Sequence, residues 1–487
     1  MKKLREILQN INVEWQSGDI DIDISEICFD SRKVRPGSIF IATRGTQVDG
    51  HEFIPSAVSS GVVAIVCDKI PLIPEPGITY LKVRDTTVAL GQMASSFYGN
   101  PSAKLKLVGI TGTNGKTTTA TLLYSLFRRD GYKTGLLSTV INYIDDLAVA
   151  STHTTPDSLH LNHLLYEMVE AGCEFCFMEV SSHAIVQNRI EGLNFAGAVF
   201  TNITHDHLDY HRTFDEYLKA KKLFFDTLPA GAFALTNNDD RNGRIMVQNT
   251  IAKKYTYALK SNADFKCRIL EKHFEGMLLS VNDKEVWTRL IGGFNAYNAL
   301  AVFSTAKLSG LGEEEILTLL SSLEPVDGRF QTMRTPGGIT IIVDYAHTPD
   351  AIKNVLLTIN ELRTGNEQLI TVIGAGGDRD KGKRPKMARI AAELSNIVIL
   401  TSDNPRNENP ELIISEMIQG VDLNHRNKII SIVNRSEAIK AACLMAHDSD
   451  ILLIAGKGHE TYQEVKGVKS HFDDREEVRK NLEIISQ

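Results

Sequence analysis

The apolar run Leu105 to Ile110 is followed by a glycine-rich stretch and then by the helix-like segment Thr117 to Arg129. Strand, tight loop and helix in that order belong to an α/β domain built on a parallel sheet, and no other feature constrains the chain as strongly. The loop reads Gly109-Ile110-Thr111-Gly112-Thr113-Asn114-Gly115-Lys116-Thr117-Thr118. Backbone amides of such a loop and the helix N-terminus cradle polyphosphate, Lys116 neutralises the β and γ phosphates, and the Thr117 hydroxyl holds Mg2+. The spacing departs from strict G-x-x-x-x-G-K-T, because Ile110 stands where the first glycine is expected and Gly109 lies one residue earlier. The alternative is a glycine-rich turn beside a surface lysine. Agreement of strand, glycines, Lys and Thr favours the phosphate site.

The chain has 487 residues, which at about 100 to 200 residues per domain implies three domains. With 43% hydrophobic and 23% charged residues it is globular in composition. A net charge of -7 gives no basic bias toward nucleic acid or an anionic membrane, so any phosphate must be met locally. Six scattered cysteines fit reduced thiols better than a disulfide framework, and Cys173 and Cys176, despite their CxxC spacing, read as core thiols. The N-terminus has Glu6 and Glu14 among its apolar residues and lacks the apolar core of a signal peptide. No apolar run reaches the roughly 18 to 20 residues of a membrane span. A cytoplasmic monomer with no membrane insertion is expected.

Loop signals divide the chain into three segments. Residues 1–102 carry short strand-like runs (Ser38 to Ala42, Gly61 to Cys67, Thr79 to Val83) in a small α/β domain. Residues 103–334 form a central domain around the phosphate loop, ending before Thr335-Pro336-Gly337-Gly338. Residues 335–487 contain five strand-like runs, beginning at Ile339, Leu369, Ile397, Ile429 and Ile451, alternating with helix-like stretches. That alternation predicts a mostly parallel, doubly wound, Rossmann-like sheet, which binds ligands beyond the carboxyl ends of its strands. Those ends carry Asp344 to His347, Gly376 to Arg379, Ser402 to Arg406 and Gly456 to Glu460, so four polar clusters converge on one rim.

Glu179, at the end of the apolar run Phe175 to Val180, is a candidate metal ligand, since a carboxylate buried there needs a cation or hydrogen-bond donors. His205-Asp206-His207-Leu208-Asp209-Tyr210-His211 invites a zinc reading, but Tyr210 separates the Asp and His that a binuclear HxHxDH site keeps adjacent. Lys221, flanked by Lys219 and Lys222, reads on its own as a solvated helix lysine.

Taken in order, these motifs resemble the Mur ligases of peptidoglycan synthesis across nearly the whole chain. The matching stretches are Asp30 to Gly37, Gly109 to Thr118, Thr154-Thr155-Pro156, Met178 to His183, Asp206 to His211, Phe294 to Ala299, Gly328-Arg329-Phe330, Asp344 to Asp350, Gly377 to Gly382, Asp403 to Arg406 and Gly456 to Glu460. The resemblance implies an N-terminal domain for the UDP end of a sugar nucleotide, a central ATPase, and a C-terminal domain that brings the amino acid. It implies that Ser31, Thr154, Thr155, Ser181, Gln187 and Arg189 touch UDP-N-acetylmuramoyl-L-alanyl-D-glutamate. Gly112 to Thr118 would bind ATP phosphates, Asn295 and Asn298 its adenine end. Thr117, Glu179 and His207 would hold Mg2+, and Lys221, carbamylated by CO2, would position a second Mg2+. Arg329 and His347 would face the phosphates or the reacting acyl group.

The chemistry so implied is ATP-dependent ligation through an acyl phosphate. An anion must approach a polyanion, so Lys116, Arg329 and Mg2+ have to neutralise charge as it develops, and no protein nucleophile is required. The C-terminal rim would choose the amine. Diaminopimelate carries a carboxylate that lysine lacks, and a guanidinium grips such a group bidentately. Arg406 after the Asn404-Pro405 turn is the first candidate and Arg379 the second, with Asp403, Asn404, Gly456 and Glu460 completing the site and Glu460 taking the distal ammonium. An Asx turn with a solvated Arg406 is the plain alternative. The competing functions are the same ligation with L-lysine, a folylpolyglutamate synthase, and a nucleotide-binding switch; the first 100 residues with Asp30-Ser31-Arg32 argue against the synthase, and the polar rim against the switch.

Overall fold

The computed structural model describes residues 1–45, 48–151, 153–335 and 337–485, with backbone alone at 208, 209 and 483–485. Pro336, and with it part of the expected Thr335–Gly338 boundary turn, lies outside the described residues. Three principal sheets organise the chain, of five, eleven and six strands. In the first, Ile27–Cys28, Ile39–Ile41, Ala64–Cys67 and Thr79–Val83 run parallel and Val13–Ser17 closes the edge antiparallel.

The eleven-stranded sheet is built around Lys106–Thr111, which pairs in parallel with Phe175–Glu179 on one side and Gly197–Phe200 on the other. A strand central to a parallel sheet is covered on both faces and so is apolar throughout. Helices Lys116–Arg129 and Gly293–Leu308 cover one face through Leu123, Phe127, Leu300 and Phe303, while Leu165, Phe224 and Phe225 cover the other. Gly109, expected near the phosphate cradle, is instead a packing glycine: a Cβ there would stand 2.5 Å from Phe224 Cζ. All six cysteines are buried and unpaired, as core thiols.

In the six-stranded sheet the five expected strands are Thr340–Asp344, Ile451–Ala455, Leu369–Ala375, Ile397–Ser402 and Ile429–Ser431, in that spatial order and all parallel. A sixth strand, Gln331–Arg334, pairs antiparallel with Thr340–Asp344. The expected division between Arg334 and Thr335 therefore falls inside a hairpin, because Gln331–Arg334 satisfies its backbone on the last sheet. The middle and last sheets also meet directly. Phe274, Ile291 and Phe294 pack on the core of the last sheet, and Lys272 pairs with Glu361 at 2.6 Å.

No helix is long and apolar enough to cross a membrane among the described residues.

Candidate active site

The carboxyl ends of the middle and last sheets face one another across a cavity of 840 Å³. On the middle side, the phosphate loop is stapled to the neighbouring strand end. Asn202 accepts from the Thr113 amide at 2.8 Å and, through Oδ1, from the Asn114 amide at 2.9 Å. The Thr201 hydroxyl donates to the Asn114 carbonyl at 2.6 Å. Gly112 permits this closeness, since a Cβ would stand 1.9 Å from Thr201 Oγ1. Gly115 takes φ 87° as the N-cap of helix Lys116–Arg129, a left-handed turn that aims the first amides of the helix at the cavity. Lys116 Nζ folds back onto the carbonyls of Gly112 and Thr113 at 2.9 and 3.0 Å. Burial lowers its pKa below the usual lysine value. Thr117 and Thr118 are buried and line the same cavity.

Glu179 is fully buried at the end of its strand. One of its oxygens accepts from the Thr139 amide at 2.7 Å, and the other has no hydrogen-bond partner. A carboxylate oxygen without a partner, on a cavity wall that Thr117 and His207 also line, suits a hard divalent cation, so these residue types fit Mg2+. Among the described residues no group of three His, Cys, Asp or Glu is arranged to hold a metal ion.

Lys221 overturns the solvated-lysine expectation. Its side chain is buried, donates to the Gly112 carbonyl at 2.9 Å, and lies over the Tyr217 ring. Desolvation, with Lys116 nearby, drives its pKa well below that of an ordinary lysine. Lys219 and Lys222 misled because helical position, not sequence neighbourhood, decides which lysine faces inward.

Thr154, Thr155, Ser181 and Arg189 all line the cavity. The Thr155 hydroxyl donates to the Glu179 carbonyl at 2.9 Å, and Arg189 donates to the Thr155 carbonyl at 2.7 Å. Gln187 lies behind them, its carbonyl oxygen held by Arg189 at 2.7 Å. Asn298 reaches the cavity, whereas Asn295 is buried outside the lining and is bonded to the Ile291 carbonyl and to Asn298. Ser31 belongs to the first domain, just after strand Ile27–Cys28, and is outside this cavity.

Arg329 crosses to the phosphate loop. Its guanidinium donates to Thr117 Oγ1 at 3.1 Å and covers the Tyr345 ring. The chain is pinned there by Asp344, which accepts from the amides of Phe330 and Ala346 at 2.6 and 2.7 Å. His347 donates through Nδ1 to the Tyr345 carbonyl, 2.8 Å away, and burial lowers its pKa to about 4, which keeps the imidazole neutral.

On the far rim, Arg379, Asp403, Asn404, Arg406, Gly456 and Glu460 converge as expected. Arg406 is no solvated turn residue: it takes φ 50°, donates to the Gly377 carbonyl at 2.7 Å, and its side chain is 21% exposed. Lys457 was missed by sequence reasoning. Fully buried, it pairs with Glu460 at 3.0 Å and with Asp403 at 3.7 Å, and donates to Asn404 Oδ1 at 3.2 Å. Two carboxylates share the one buried ammonium of Lys457, and their free oxygens suit a second ammonium group. Its place between two glycines in Gly456-Lys457-Gly458 was the available signal.

Three family models match the chain: the Mur ligase family catalytic domain at residues 23–98, the Mur ligase middle domain at 110–306, and the Mur ligase glutamate ligase domain at 328–458. A UDP-N-acetylmuramoyl-L-alanyl-D-glutamate--2,6-diaminopimelate ligase of Cytophaga hutchinsonii is 56% identical, covering 100% of both chains. A protein of the same name from Bacteroides fragilis is 56% identical over 98% of each. A solved structure bearing that name superposes with a TM-score of 0.70 at 32% identity, over 100% of this chain and 99% of that one. The chain belongs to the Mur ligase family.

Proposed function

We propose that this protein joins meso-2,6-diaminopimelate to the D-glutamyl γ-carboxylate of UDP-N-acetylmuramoyl-L-alanyl-D-glutamate, with ATP as the activating reagent, in peptidoglycan precursor synthesis. The observation that carries this reading is a single cavity bounded by the phosphate loop on one side and by Arg379, Asp403, Asn404 and Arg406 on the other. The full-length identity to relatives named for that reaction supports it.

In this reading the first domain, through Ser31, takes the UDP end, and Thr154, Thr155, Ser181, Gln187 and Arg189 hold the muramoyl dipeptide. The substrate carboxylate attacks the ATP γ-phosphorus, an O–P bond forms, and ADP leaves. The amine then attacks the acyl carbon, loses a proton, and expels inorganic phosphate. Lys116 and Arg329 neutralise the phosphates during the first step, and the helix N-terminus after Gly115 contributes its amides. Asn298, backed by Asn295, meets the adenine end. Thr117, Glu179 and His207 would hold Mg2+, which supplies further charge neutralisation. A neutral Lys221 amine can attack CO2, forming an N–C bond and releasing a proton, and the resulting carbamate would serve a second Mg2+. His347 faces the acyl group. Arg406, with Arg379, grips the distal carboxylate of the amine, and Asp403, Asn404 and Glu460 take its ammonium. In this reading a monomer carries out the reaction in the cytoplasm.

The test is inorganic phosphate release by the purified chain. Release should require both the UDP-muramoyl dipeptide and diaminopimelate, and lysine should replace diaminopimelate poorly. Release without the dipeptide would overturn the ligase reading, and equal use of lysine would overturn the choice of amine.

A further inference from the structure

Arg384 opens helix Arg384–Leu394, and its side chain is 1% exposed. It is not among the residues that line the cavity, yet it bonds to both loops that carry the rim arginines. From below, Nη2 donates to the Gly376 carbonyl at 3.0 Å, in the loop that leads to Arg379. Both terminal nitrogens grip the Glu408 carboxylate, at 2.8 and 3.0 Å, in the loop that follows Arg406. Glu416 closes the set at 2.7 Å.

The bonds continue upward. Glu408 accepts from the Asp378 amide at 2.6 Å, and Arg406 donates to the Gly377 carbonyl at 2.7 Å. Gly377 is pressed against the second loop so closely that a Cβ would meet the Pro405 carbonyl oxygen at 1.9 Å. Asp378 and Arg406 both adopt φ 50°, a conformation L-residues keep only when neighbours enforce it. The Arg384 guanidinium holds Glu408 ionised, its pKa lowered to about 2, so the clamp persists at neutral pH. Its fork meets three acceptors in two loops, which a lysine ammonium cannot match in plane.

We propose that Arg384 is a positioning residue for amine recognition: by locking the Gly376–Arg379 and Arg406–Glu408 loops together it holds the Arg406 guanidinium in the geometry that accepts a distal carboxylate. The inference rests on the assignment of Arg406 given above.

The experiment measures steady-state phosphate release by the full chain, varying diaminopimelate at saturating ATP and UDP-muramoyl dipeptide, for Arg384→Lys, Glu416→Gln and Arg406→Lys. Melting temperature and circular dichroism identify folded variants. Arg384→Lys should raise KM for diaminopimelate about tenfold or more, with KM for ATP unchanged and kcat within about threefold. Glu416→Gln removes one partner at a side chain 34% exposed, and should raise the same KM about threefold while remaining folded. The diaminopimelate-to-lysine preference should fall in both. If Arg384→Lys does not fold, Glu416→Gln decides. Unchanged KM for diaminopimelate in the folded variants, while Arg406→Lys raises it, would overturn the role of Arg384 and leave that of Arg406 standing. Unchanged KM in Arg406→Lys itself would overturn the underlying assignment.

Discussion

The Asn114 side-chain amide donates to the Asp350 carboxylate at 2.9 Å, joining the phosphate loop of the middle domain to the first turn of helix Pro349–Leu362 in the last. Together with the Arg329–Thr117 bond, it makes the glycine-rich loop and the helix after it a point of contact between the two sheets. Asp350→Ala removes one such bond, worth about 1 kcal/mol. The ligand-free variant should show a larger radius of gyration than the parent by small-angle scattering. Superimposable profiles would refute the latch.

Arg406→Ala should lower kcat/KM for diaminopimelate by about 10² to 10³, since a site built for a polar group discriminates strongly through it. ATP affinity, measured by calorimetry, should change less than about twofold, because the phosphate loop lies on the other wall of the cavity. Parallel loss of both would point to a folding defect.

Burial, with Lys116 nearby, drives the Lys221 amine well below the pKa of an ordinary lysine, toward the unprotonated form that reacts with CO2. Activity in CO2-depleted buffer should fall and recover on adding bicarbonate, and Lys221→Ala should lose activity about 10²-fold or more with no response to bicarbonate. Intact mass under bicarbonate gives an independent check. A bicarbonate response in the alanine variant would sink the carbamate.

His459 packs against the Tyr345 ring, and burial, reinforced by the charge of Arg329 and Arg475, lowers its pKa to about 3. Unfolded, the imidazole binds a proton near its ordinary value of 6.5; folded, it does not until about 3. Between those values the unfolded state holds the extra proton, so stability rises with pH and is lost on acidification, by at most about 1.4 kcal/mol per pH unit from this residue. Urea unfolding of His459→Gln should show a shallower acid slope than the parent between pH 6 and pH 4, as about that range is set by the shift. Identical slopes would contradict the assignment.

The phosphate loop, the five parallel strands of the last sheet and the polar rim at their ends were legible in the residues, because they rest on local rules: apolar runs, glycine turns, and the placement of ligands beyond strand ends. The same local rules misplaced what depends on contacts between distant segments. Gln331–Arg334 belongs to the last sheet through pairing with Thr340–Asp344, and Gly109 packs against Phe224 rather than framing the cradle. Lys221 and Lys457 look like surface lysines in a one-dimensional string, and only helix packing and the meeting of distant strand ends bury them. Which polar residues gather at the strand ends and line the cavity was largely written in their types and spacing. Their charge states and their partners were decided by burial, which is a property of the assembled sheets and of no short stretch of chain.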